Sequence, residues 1–206
     1  MNKKILHKVG RYYSDKIAKH GATSQGVDWN SRDSQFLRFE QLAKVFGSKN
    51  NFSILDFGCG YGSFIEYLNE NNYRDIGYLG YDISLEMLKQ ANATYSEENI
   101  SFIDNLQDLN KVDYTIASGI FNVKLNTNEA NWKAYIEKTL MSINKVSELG
   151  FSFNILTSFS DEEHKNDHLF YANPMFYFDY CKNNYSKNVA LLHDYNLYEF
   201  TIIVRK

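Results

Sequence analysis

Hydrophobic positions change their spacing repeatedly along this chain. At Phe36, Phe39, Leu42 and Phe46 they form a stripe of helical period beginning at Arg32, with Asp33 or Ser34 able to cap its start. Residues 52–56 are a short apolar run stopped by glycines, which predicts a strand; Phe64, Ile65 and Leu68 then resume helical spacing. A second strand over 78–82 is followed by Ser84, the predicted cap of a helix carrying Leu85, Leu88 and Ala91. Further strands are predicted over 99–103, 113–117 and 151–156. The last two are separated by a long helix through Trp132, Ile136, Leu140 and Ile143 that ends near Gly150. Strands alternating with helices form a parallel sheet covered on both faces. Residues 188–193 and 199–205 lie too close together for a crossover helix, so they are predicted as an antiparallel hairpin turning through Asn196. The fold class is therefore α/β: a doubly wound, mostly parallel seven-stranded sheet over 33–206 with a C-terminal antiparallel hairpin. N-terminal helices over 1–32 precede it as an extension.

Length and composition narrow the classes of function. The 206 residues suit one domain, and 44% hydrophobic residues supply its core. A net charge of −3 gives no global positive field, so a nucleic-acid partner is not expected. The basic residues Lys3, Lys4, Lys8, Arg11, Lys16 and Lys19 form either a solvated helix face or an anion-attracting lid. Two distant cysteines, Cys59 and Cys181, make no ligand cluster, and no metal is expected; in its glycine turn Cys59 is read as a packing residue. Ile5-Leu6 is too short an apolar run for a signal segment or a membrane span, so the expected location is cytoplasmic, as a monomer or homodimer, with no membrane partner.

The segment Asp56-Phe-Gly58-Cys-Gly60-Tyr-Gly62 carries the most chemistry. Open α/β sheets bind ligands at the carboxyl ends of their strands, where a glycine turn lets backbone come close. A dinucleotide fingerprint would need a third glycine where Ser63 stands, and Asp56 would repel a pyrophosphate but suits a cationic amino-acid group. Asp82, ending the next strand, is placed to accept both hydroxyl protons of a ribose. Asp108 and Asp113 read as turn residues.

The stretch from Ile54 to Asp82 resembles motifs I and II of class I S-adenosylmethionine-dependent methyltransferases, and the resemblance extends from about Asp33 to the C-terminus. It implies that Asp56, Gly58, Gly60 and Gly62 surround the methionine part of S-adenosylmethionine, that Asp82, with Ile83 beside it, holds the ribose, and that Ser118 also faces the cofactor. Phe102-Ile-Asp104-Asn105-Leu106 resembles the third motif, in which Asp104 and the Asn105 amide would meet the adenine. The segment from Gly26 to Phe39 resembles a bacterial subset of these enzymes. There Gln35 and Arg38 share a helix face, and Arg38 either pairs with the cofactor carboxylate or is simply solvated.

Methyl transfer requires alignment of an acceptor and removal of its proton. The Asn/Asp-Pro-Pro-Tyr/Phe motif of amide and amino-nitrogen methyltransferases is replaced here by Ala117-Ser118-Gly119-Ile120-Phe121-Asn122, which points to an oxygen acceptor. A hydroxyl needs a base, and His193, at the end of the sixth strand, and His20, in the N-terminal extension, are the leading candidates over His164 and His168. Tyr13, Asn122, Asn154, Tyr171, Asp194 and Tyr195 are expected to contact the acceptor, covered by a loop over 158–173 that carries Asp161, Glu162 and Glu163. Phe170, Phe176, Tyr177 and Tyr180 either line that pocket or pack in the core. The expected function is O-methylation of a small molecule, with a sugar or nucleotide-linked sugar of a surface polysaccharide as the acceptor and S-adenosylhomocysteine as product. The alternatives are an inactive cofactor-binding partner subunit and a protein or RNA methyltransferase.

Overall fold

The computed structural model describes residues 3–106 and 109–206; Asp108 lies outside them. In chain order the elements are α1 (Lys3–His20), α2 (Arg32–Ala43), β1 (Ser53–Phe57), α3 (Ser63–Glu70), β2 (Gly77–Tyr81), α4 (Leu85–Thr94), β3 (Ile100–Ile103), β4 (Val112–Ala117), α5 (Glu129–Val146), β5 (Ser147–Leu156), α6 (Pro174–Asn184), β6 (Asn188–Leu192) and β7 (Glu199–Arg205). Short 3-10 turns follow α1 and α2 and sit in the β5–α6 connection.

Local chemistry sets the helix starts. Ser31 caps α2 through a reciprocal box with Ser34, Ser84 accepts from the Met87 amide, and Asn173 accepts from the Met175 and Phe176 amides, with Pro174 at the first helical position. Asp113, read as a turn residue, lies instead inside β4, where it accepts from the Ser53 amide and hydroxyl at 2.7 and 2.8 Å and ties the starts of β1 and β4 together.

The seven strands lie in the order β3-β2-β1-β4-β5-β7-β6. Pairing is parallel from β3 across to β5, whereas β7 is antiparallel to both β5 and β6. The period of two sorts side chains to the faces. Leu55, Phe57, Phe153, Ile202 and Val204 join α1, α5 and α6 on one side through Ile5, Trp132, Ile136 and Tyr177. Ile54, Tyr114, Ile116 and Ile203 join α2 and α3 on the other through Leu42, Phe64 and Leu68. The chain winds outward from β1 to β3 and then returns to β4, so connections leave β1 and β4 in opposite directions and a crevice opens at their carboxyl ends.

The hairpin is present, but β7 inserts between β5 and β6. This leaves β6 at the sheet edge, with two strands separating its end from β4. The long helix ends at Val146 and runs straight into β5, four residues short of the expected Gly150. Gly150 lies instead inside β5, where an added Cβ would come within 2.5 Å of the Val204 carbonyl oxygen. Gly150→Ala is therefore expected to destabilise the fold by about 1–3 kcal/mol, the usual cost of overpacking. Urea unfolding measures it, and an unchanged midpoint would contradict this register.

Candidate functional site

The glycine turn after β1 is bound to the end of β2. The Tyr81 carbonyl accepts from the Gly58 and Cys59 amides at 2.7 and 2.9 Å, and Asp82 accepts from the Gly60 amide at 2.9 Å and the Ser84 amide at 2.8 Å. Gly58, with φ +85°, has no room for a side chain, because a Cβ would stand 2.3 Å from Ile120. Gly62 caps α3 in a left-handed conformation, lies behind the turn against Tyr95 and does not line the cavity the turn encloses.

That cavity lies over the carboxyl ends of β1, β2 and β4. Asp56, Gly58, Gly60, Asp82, Ile83 and Ser118 line it, joined by Gln35 from α2 and by Leu6, Val9 and Tyr13 from α1. Asp56 is buried and accepts a 2.6 Å hydrogen bond from the Tyr78 hydroxyl. Burial lifts its pKa to about 7; the Tyr78 bond opposes the rise and the nearby Asp82 carboxylate adds to it. Burial also pushes Asp82 up, held back by its backbone amide donors. Gln35 donates to Ser63 at 2.8 Å. Ser118 Oγ is buried with no partner among the described residues, and Ser118 lines this cavity. Cys59 is buried, with its thiol directed at the Gly60 carbonyl, and Cys181 packs in the core.

A second, larger cleft adjoins the first and shares Tyr13, Val27, Trp29 and Gly119 with it. Its outer wall comes from the β5–α6 loop and the β6–β7 turn, through His164, Asn166, His168, Tyr171, Asn196 and Tyr198. Asn122 lines it and also accepts from the Leu156 amide at 3.1 Å. Lys16 reaches in from α1 and pairs with Asp28, while Tyr12 bonds to the same carboxylate. Burial and Asp28 raise the Tyr12 hydroxyl to about 12.

Several expected site residues sit elsewhere. His193 is exposed beyond the β6 end, packed near Phe159 and Phe200, because β7 displaces β6 from the crevice. His20 ends α1 with its carbonyl accepting from Thr23, and neither histidine lines either of these two cavities. Asp194 is exposed on the turn, and Tyr195 is buried with its hydroxyl on Thr201 at 2.9 Å. Asn154 is fully buried and bonds to Glu199 and to the Gly119 amide. Asp104 and Asn105 line a neighbouring depression with Leu85 and Leu88, on the other side of Tyr81. Arg38 lines the second cleft, but its guanidinium is held by Glu199 at 2.9 Å and the Ser34 carbonyl at 2.7 Å. Of the aromatics with two readings, Phe170 and Tyr177 belong to the core, and Phe176 and Tyr180 stack on one another on α6. Trp29, Asp28 and Glu199 escaped sequence reading. Gly119, named only within the stretch that replaces the Asn/Asp-Pro-Pro-Tyr/Phe motif, proves to be shared wall.

Residues 55–145 match the family model described as a methyltransferase domain. Over 164 residues the chain is 47% identical to the "Putative methyltransferase Rv1506c" of Mycobacterium tuberculosis, covering 79% of this chain and 98% of that protein. Among solved structures, the magnesium protoporphyrin IX methyltransferase of Synechocystis PCC 6803, crystallised with S-adenosylmethionine, superposes with a TM-score of 0.64 at 15% identity, covering 98% of this chain and 97% of that one. Human N-acetylserotonin methyltransferase, also in complex with S-adenosylmethionine, superposes at 0.65 and 14% identity, covering 100% of this chain and 60% of that one. The glycine cradle, the paired carboxylates Asp56 and Asp82 and the unpartnered Ser118 hydroxyl fit that cofactor, and with this relative and this family match the chain belongs to the class I S-adenosylmethionine-dependent methyltransferases.

Proposed function

We propose that the protein O-methylates a small, neutral, polyhydroxylated acceptor of the sugar class bound in the second cleft. The observation that carries this reading is the lining of that cleft. Tyr12, Tyr171 and Tyr198 offer rings, and Asn30, Asn122, Asn166 and Asn196 offer amides, the mixture suited to a ring bearing hydroxyls. Its two cations, Lys16 and Arg38, are already matched by Asp28 and Glu199, which leaves little to attract a phosphate.

The cofactor supplies an electrophilic methyl group on a sulfonium. Asp56 is the carboxylate suited to its amino group and Asp82 to its ribose, as the family resemblance implies. The shared wall of Tyr13, Val27, Trp29 and Gly119 brings the two cavities together, so orientation is the first contribution of this chain. The second is removal of a proton. Among the described residues lining the second cleft, Asp28, His164 and His168 can accept one, and Asp28 adjoins the shared wall whereas both histidines stand on the exposed outer loop. Asp28 is assigned as the base: its carboxylate would take the proton of an acceptor hydroxyl placed at the shared wall, while the cofactor would supply the methyl group.

Three measurements test this reading. A panel of simple methyl glycosides incubated with isotopically labelled S-adenosylmethionine should yield a methylated product; transfer to RNA or protein but to no glycoside would overturn the acceptor class. Asp28 holds a left-handed backbone, φ 62°, that asparagine tolerates, so Asp28→Asn should fold normally and bind S-adenosylhomocysteine as before. It should slow transfer by roughly 10²–10⁴-fold, while His193→Ala keeps full turnover. Calorimetry between pH 5.5 and 7.5 should show S-adenosylhomocysteine binding more tightly as pH rises, because the ionised Asp56 carboxylate is the form that pairs with an ammonium group. With Asp56 raised to about 7, affinity below that pH should fall by up to about tenfold per unit, and Asp56→Asn should flatten the profile.

A further inference from the structure

Glu199, the first residue of β7, is fully buried and far from the glycine turn, yet its two oxygens hold both ends of a closed circuit of contacts. Oε2 accepts from Arg38 Nε at 2.9 Å, and Oε1 accepts from Asn154 Nδ2 at 2.9 Å. Asn154 Oδ1 in turn accepts from the Gly119 amide at 2.7 Å. Gly119 adopts φ +71°, and a Cβ on it would stand 2.5 Å from the Trp29 ring, so the indole rests directly on this glycine. The circuit closes where the Arg38 guanidinium lies over that same indole, 4.0 Å from its ring centre. Five residues from four separate segments thus fix one another, and two of them, Trp29 and Gly119, form the wall shared by the two cavities.

A buried ion pair is a poor device for stability alone, since well-packed apolar residues of similar volume serve as well or better. What it supplies is direction. Each oxygen of Glu199 has one assigned donor, and one donor leads to Trp29, the other to Gly119. We propose that Glu199, through Arg38 and Asn154, is a positioning residue that sets the wall between cofactor and acceptor by fixing Trp29 against Gly119. This inference rests on the two-cavity reading above but concerns a geometry already present in the free protein.

The chain has two tryptophans, and the other, Trp132, is fully buried with its indole N–H on the Phe121 carbonyl, so Trp29 emission can be followed in the free protein. In Glu199→Gln, Trp29 emission should move to longer wavelength and its acrylamide quenching should increase above that of the wild type, and Trp29→Phe in the same background should abolish both changes. S-adenosylhomocysteine binding, read by calorimetry, should weaken by about tenfold, the scale of one lost charge-assisted hydrogen bond. Glu199→Asp should recover part of each effect. If Glu199→Gln lowers the melting temperature but leaves emission, quenching and affinity unchanged, the pair is a core contact only and the proposal is overturned. Should that variant fail to fold, Arg38→Lys gives the same test, because lysine keeps the charge but not the planar stack on the indole. Wild-type protein that binds no S-adenosylhomocysteine would defeat the cofactor assignment, and the emission measurements on free protein would still decide the role of Glu199.

Discussion

The clamp between the ends of β1 and β2 is the constraint on which the site depends. A turn with left-handed residues at Gly58, Gly60 and Gly62 spends backbone freedom that only its hydrogen bonds return. The Tyr81 carbonyl takes two of its amides and the Asp82 carboxylate a third. Asp82 also accepts from Ser84 at the start of α4, so one side chain fixes the glycine turn and the next helix together. Through Ile120 above Gly58 the turn meets the loop after β4. The floor of the first cavity and one wall of the second are therefore referenced to the same two strand ends.

Three buried carboxylates, Asp56, Asp82 and Glu199, surround the two cavities, and each is stabilised differently. Asp82 has backbone amides, Glu199 a guanidinium and an amide side chain, and Asp56 a single tyrosine hydroxyl. The least compensated of the three, Asp56, is the one for which a cationic ligand group has most to offer, since a counter-charge relieves the burial that raises its pKa.

Much of this architecture was legible in the chain because it is written locally. Periodicity, the cap at Ser84 and the glycine turn each involve residues close in sequence, and they locate every strand to within a few residues. The acidic residues at the ends of β1 and β2 were legible for the same reason, since a strand end is a local signal and the fold carries it to the crevice. His193 was misplaced because strand direction can be read from a hairpin, but lateral order cannot: whether β6 or β7 pairs with the free edge of β5 depends on contacts between residues far apart in sequence. Arg38 was recognised without its partner because Glu199 is 161 positions away, and nothing in either neighbourhood announces the other. Asp28 and Trp29 lay in a segment noted only for its likeness to a bacterial subset, and their roles depend on how α1 and α2 close against the sheet.

The first helix extends over both cavities. Leu6 and Val9 cover one, Tyr12 and Lys16 the other, and Tyr13 spans the boundary. It is anchored by Ile5 and Val9 in the core, by the Ser14 hydroxyl on Ser84 and Glu86, and by Lys16 on Asp28. Two chambers under one ceiling share a boundary: any displacement of α1 would uncover both at once.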